Sequence, residues 1–78
     1  MSTADAHIKL AEMAGQIADF FAPYPDATAI AGIAEHINHF WTAQMRETFL
    51  EHCHSDDPDL PPRVGKALPL IKPRHAGL

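Results

Sequence analysis

The chain has 78 residues, a formal net charge of −4 and a single cysteine, Cys53. A chain of this length buries only about 60–65% of the surface that its unfolded form exposes, so it forms one domain at most, with a small core. These values exclude an intrachain disulfide and argue against a nucleic-acid partner, and no run approaches the ~20 apolar residues of a membrane-spanning helix.

The first predicted helix spans residues 4–21. The preceding sequence has no basic segment followed by an apolar one, so we expect a soluble, cytoplasmic protein. Pro23 and Pro25 end the helix, because proline lacks a backbone donor and disfavours the α region in the residue before it. Steps of three and four place six apolar residues on one side of the helix. They are Leu10, Met13, Ala14, Ile17, Phe20 and Phe21.

The second predicted helix spans residues 27–41, with Asp26 as its N-cap. Its apolar residues repeat the spacing of the first helix, and they are Ile30, Ile33, Ala34, Ile37, Phe40 and Trp41. Two amphipathic helices of the same period explain the match as well as a duplication does. The pattern predicts an antiparallel helical hairpin. Gly15 and Gly32 each cost about 1 kcal/mol relative to alanine, which suggests that another backbone comes close to them.

An aromatic pair ends the second helix. Adjacent helical residues point about 100° apart, so Phe40 and Trp41 cannot serve one narrow seam. We expect Phe40 to close the hairpin against Ile17 and Phe20, and Trp41 to face a partner protein.

A third helix is predicted over residues 43–53, with the hydroxyl of Thr42 as its cap. Five of the seven prolines follow it, in residues 58–78. A short helix over residues 62–68 is plausible there, since proline suits a first turn. We expect an all-α fold: a helical domain over residues 1–57, built from the hairpin and the third helix, then a proline-rich C-terminal arm. The arm either orders on a neighbouring protein or is disordered when alone.

Metal-binding and nucleophilic residues are present but scattered. The four potential ligands from Glu51 to His54 point in different directions around a helix end, whereas zinc needs three or four that converge. The thiol of Cys53 would be a nucleophile if His52 or His54 stabilised its thiolate. Its place on the apolar side of the third helix favours a buried, inert thiol. We therefore predict no metal site, no cofactor site and no catalytic residue.

Two blocks within residues 10–50 each contain an aromatic pair: EMAGQIADFF (residues 12–21) and AIAGIAEHINHFWTAQMR (residues 29–46). Together they resemble the delta subunit of soluble, NAD-dependent, molybdenum-containing formate dehydrogenases. Gly15 departs from the family pattern, which usually has asparagine, and Thr42-Ala43 stands where the family usually has Asp-Pro. Threonine caps a helix as aspartate does, so the architecture remains possible. The matching positions are Met13, Ala14, Gln16, Ile17, Phe20, Phe21, Ala31, Gly32, Ile33, His36, Ile37, Phe40, Trp41, Met45 and Arg46.

The resemblance implies a place in a multisubunit enzyme that oxidises formate to carbon dioxide and passes electrons to NAD⁺. In that family the larger subunits carry bis-molybdopterin guanine dinucleotide, iron–sulfur clusters and FMN, and the delta subunit carries no redox centre. The expected partners are the catalytic molybdenum subunit and the diaphorase-type subunits, with no nucleic acid and no membrane.

Three functions follow from this interpretation. The first is a non-catalytic accessory subunit that supports assembly or stability of the complex. The second is a maturation chaperone for insertion or sulfuration of the molybdenum cofactor, and the third is a free helical regulator that forms a dimer. The predicted partner interface consists of Gln16, Phe21, Gly32, His36, Trp41, Met45 and Arg46.

Overall fold

The computed structural model describes residues 3–54, 57–58 and 60–73, with side chains from His7 onward. Within these residues no strand occurs, which confirms the all-α fold class. None of the described helices is both long and apolar enough to cross a membrane. The helices are α1 (Thr3–Phe20), α2 (Asp26–Phe40), α3 (Ala43–His52) and α4 (Pro62–Ala67), followed by a short 3-10 helix (Leu68–Leu70).

The first residues of α3 and α2 are stabilised differently. The Thr42 hydroxyl accepts a hydrogen bond of 3.1 Å from the Met45 N–H, so the predicted cap of α3 is confirmed. The prediction of Asp26 as the cap of α2 is wrong. Pro25 occupies that position without a side-chain hydrogen bond, and Asp26 lies in the first helical turn. An acidic residue in the first turn still stabilises a helix, because it faces the positive end of the helix dipole.

The core lies where α1, α2 and α4 meet, with α3 packed against α1. Its largest fully buried side chains are Phe49, Ile33, Ile37 and Val64. Small residues on α1 and α2, such as Ala14 and Ala34, are also buried and allow the helices to approach closely. The core therefore draws on all four helices rather than on the hairpin alone.

The segment of residues 60–73 packs into the same core, so the prediction of a docking arm is wrong for these residues. Leu68 and Ile71 are buried. The side chain of Asn38 fixes the segment to α2: it donates to the Leu70 carbonyl at 3.1 Å and accepts from the Lys72 N–H at 2.8 Å. Residues 59 and 74–78 of the predicted arm lie outside the described part of the chain.

The guanidinium group of Arg63 on α4 binds the connection between α1 and α2. Its Nε donates to Asp26 Oδ1 at 2.9 Å. Its two terminal nitrogens donate to the carbonyls of Phe21 at 3.0 Å and Tyr24 at 2.9 Å. Because carbonyls just beyond a helix end lack helical donors, Arg63 satisfies groups that would otherwise need water. It also holds in place the turn that carries Phe21.

Candidate docking surface

Among the side chains that the structure describes, two phenylalanines at the ends of α1 and α2 are the most exposed of the large apolar ones. Phe20 is 69% exposed and Phe40 is 75% exposed. Exposed aromatic rings are a feature of interaction surfaces, because apolar rings gain stability when water is removed from them. The surface around these two rings is therefore a candidate docking site.

Two adjoining cavities of about 410 and 300 Å³ form this surface, and Phe21 and His36 line both of them. We refer to the two cavities together as the aromatic groove. The first cavity is also lined by Met13, Gln16, Ile17, Phe20 and Trp41. The second is also lined by Gly32, Glu35, His39 and Phe40.

The orientation of the aromatic pair is the reverse of the one predicted. Trp41 is only 5% exposed, and its ring packs edge-on against Phe49 with 5.3 Å between centroids. The reason is the helix end: α2 stops at Phe40, and Trp41 has an extended backbone with φ −86° and ψ 144°. The 100° rule for neighbouring helical residues does not apply there. Phe40 stays on the helix surface and contacts His36 one turn earlier, at 4.7 Å between centroids.

Gly32 provides space for the ring of Phe21. A Cβ atom at Gly32 would lie 2.5 Å from Cε1 of Phe21, closer than side-chain carbons approach each other. The same ring packs edge-on against Phe20 at 5.1 Å between centroids. The glycine therefore accommodates an aromatic side chain, not a second backbone as predicted. At Gly15 no atom lies within 4 Å of an added Cβ, so no close approach within the chain accounts for that glycine.

Five of the seven predicted interface residues line the aromatic groove: Gln16, Phe21, Gly32, His36 and Trp41. Met45 and Arg46 do not. Met45 packs against the core. The Arg46 guanidinium donates to the Trp41 and Lys72 carbonyls, each at 2.8 Å, and so joins the C-terminal segment to the start of α3. Whether any of the seven contacts a partner stays a prediction.

Sequence reasoning missed that Phe20 and Phe40 are exposed and that Glu35 lines the groove. Glu35 is the one carboxylate among the residues that line the groove, and neither lysine nor arginine is among them. The sequence did contain a signal for this position of Glu35: it follows the predicted interface residue Gly32 by three residues, and residues at i and i+3 lie on the same side of a helix.

The cysteine and histidines form no metal cluster among the described residues. Cys53 is buried, as predicted, and burial raises the pKa of its thiol, with a further contribution from the charge of Asp57. The neutral thiol is a poor nucleophile. The rings of His7 and His52 stack at 4.8 Å between centroids, which joins the N-terminal part of α1 to the end of α3.

Comparison with protein families identifies the family of the chain. The model of the family described as NADH-dependent formate dehydrogenase delta subunit FdsD matches residues 9–68, which is more than half of the chain. This range includes α2, α3, α4 and the whole aromatic groove. No curated protein and no solved structure matches significantly.

Proposed function

Because the chain belongs to the family of NADH-dependent formate dehydrogenase delta subunits, we propose that it is a non-catalytic, cytoplasmic accessory subunit. In this proposal it binds a larger subunit of the complex through the aromatic groove and supports assembly or stability of the enzyme. The expected partners are the catalytic molybdenum subunit and the diaphorase-type subunits.

The observation that carries the docking role is the exposure of Phe20 and Phe40, of which Phe20 lines the mainly apolar first cavity and Phe40 lines the second. The core does not need these two rings, because Trp41 and Phe49 fill the space between α2 and α3. Exposed aromatic side chains in a small chain favour aggregation unless a partner covers them. A permanent place in a complex explains how this surface is tolerated.

The non-catalytic role is supported by the chemistry of the cysteine. An iron–sulfur cluster is held by four cysteines, or by two cysteines and two histidines in Rieske centres, and the chain has one cysteine, which is buried. Its raised pKa keeps the thiol protonated at neutral pH. We therefore assign the molybdopterin cofactor, the iron–sulfur clusters, FMN and the NAD site to the larger subunits.

Co-purification of the assembled enzyme tests the proposal. The groove variant combines Phe20→Ser with Phe40→Ser. The matched control combines Ile8→Ser with Leu70→Ser, whose side chains are 52% and 53% exposed and lie outside the groove. Circular dichroism first establishes that both variants are folded. We expect wild type and control to remain with the active complex in fixed stoichiometry and the groove variant to be lost.

Two other outcomes would contradict an accessory subunit. Association only with enzyme that lacks the molybdenum cofactor would instead indicate a maturation chaperone. Absence of the chain from every form of the enzyme, together with self-association in solution, would indicate a regulatory dimer.

A further inference from the structure

We propose that the aromatic groove binds a segment of a larger formate dehydrogenase subunit in which an apolar side chain and an arginine lie side by side. The apolar side chain enters the first cavity and the guanidinium group enters the second. This inference rests on the proposed docking function and adds the chemistry of the partner.

The first cavity fits an apolar anchor. Its lining is mainly hydrophobic, with Met13, Ile17 and the buried ring of Trp41, and Phe20 stands at its edge. Methionine adapts its shape to the group that packs against it, and aromatic rings supply large contact areas. Leucine, methionine and phenylalanine are the side chains that such a lining favours.

The second cavity fits a cation that is also planar. Glu35 supplies a carboxylate, and the mostly exposed ring of Phe40 supplies an aromatic face in the same cavity. A guanidinium group donates to a carboxylate through two parallel hydrogen bonds and stacks on aromatic rings, whereas an ammonium group is a compact, strongly hydrated charge. Neither lysine nor arginine lines the groove, so no permanently charged cation opposes an incoming arginine, and the other polar side chains of the second cavity are His36 and His39. The lining therefore favours arginine over lysine.

A second copy of this chain is a less suitable occupant. A symmetric dimer presents the same surface on both copies, so each residue near the axis meets its own equivalent. A dimer through the groove would place two Glu35 carboxylates close to each other on a chain whose net charge is already −4. Repulsion between these carboxylates opposes that arrangement.

Peptide binding tests the chemistry directly. Synthetic 15-residue peptides that tile the larger subunits of the same enzyme are titrated against the full chain, and the fluorescence of its single tryptophan, which lines the first cavity, reports binding. The tightest peptide is then made with citrulline in place of arginine, which removes the charge and nearly preserves the shape. We expect citrulline to weaken binding at least about fivefold, the range of a charged pair that also stacks on an aromatic ring.

The variant Glu35→Gln identifies the carboxylate. It should reduce the preference for arginine over citrulline to about two- to threefold, because it removes the carboxylate and leaves only the ring of Phe40 for the guanidinium group to stack on. The matched control is Glu12→Gln, an exposed carboxylate of α1 outside the groove, which should retain the full preference for arginine.

Three results of the peptide experiments would overturn the inference. They are a tightest peptide without arginine, an equal affinity of the arginine and citrulline peptides for wild type, and no peptide binding although the chain co-purifies with the enzyme. Concentration-dependent dimers that Phe40→Ser abolishes would also overturn it, in favour of a second copy. Since co-purification is measured independently, failure of the arginine proposal is distinguishable from failure of the accessory role.

Discussion

Truncation of the two neighbouring aromatic residues should have very unequal effects on the stability of the free chain. Trp41 is buried against Phe49, and removal of a buried tryptophan to alanine costs about 3–5 kcal/mol. The first cavity is open to solvent, so water can fill part of the vacated space and the lower half of that range applies. A domain of 78 residues has a free energy of unfolding of roughly 4–12 kcal/mol at 0.05–0.15 kcal/mol per residue. Trp41→Ala therefore removes a large part of the total stability.

Phe40→Ala is the matched control, because its ring is 75% exposed and the change should stay within about 0.5 kcal/mol, as for most surface substitutions. Urea unfolding followed by circular dichroism measures both variants. Tryptophan fluorescence is unsuitable, since Trp41 is the single tryptophan of the chain. A loss of stability in Phe40→Ala equal to or larger than that in Trp41→Ala would refute the assignment of Trp41 to the core.

Three further changes test other contacts. Arg63→Ala should lower the free energy of unfolding by about 2 kcal/mol, because charged hydrogen bonds to the α1–α2 connection are lost, and Arg63→Lys should restore less than half of it; equal stability of all three forms would contradict this role. Gly15→Ala should gain up to about 1 kcal/mol of helix stability. Gly32→Ala should gain less and should also weaken partner binding, because the added methyl group displaces the ring of Phe21 in the groove. Equal effects of the two variants in urea unfolding and in partner binding would contradict this prediction. Burial raises the pKa of the Cys53 thiol, so the contribution of the neutral thiol to the free energy of unfolding is complete below the ordinary thiol pKa and is lost as the pH rises through the raised value. Cys53→Ala should therefore lose less stability than wild type between pH 8 and 10, and identical pH profiles of the two proteins would disprove this.

Hydrophobic periodicity was sufficient to predict the all-α class and the helical character of the first three segments. The cap of α3 was also predictable, because Thr42 acts through atoms three residues away. Such features depend on neighbours in the chain, and the chemistry of capping is local. The order of Phe40 and Trp41 was not predictable in the same way. It depends on the residue at which α2 ends, and a shift of one residue changes the direction of a side chain completely.

The packing of the C-terminal segment depends on contacts that are distant in sequence. Its prolines favour irregular structure, so the segment was predicted to order on a neighbouring protein and not to join the core, although it contains Val64, Leu68 and Ile71. In the structure these three residues are buried against helices that lie more than 20 residues earlier. Arg63 likewise binds a carboxylate 37 residues away. A single sequence gives no indication of which cation meets which carbonyl, so these contacts became visible only in the fold.

The same long-range contacts determine the shape of the groove before any partner binds. Arg63 fixes the turn that carries Phe21, and Gly32 provides the space in which the ring of Phe21 lies. The ring of Phe49 packs against that of Trp41. Ordering of side chains and loops upon association reduces affinity, and a surface that is already ordered avoids this cost. Arg63 does not line the groove, and yet its loss should weaken docking through disorder of the turn. The C-terminal segment therefore acts on partner binding from within the chain, as the support of the docking surface, whereas the predicted arm would have bound the partner itself.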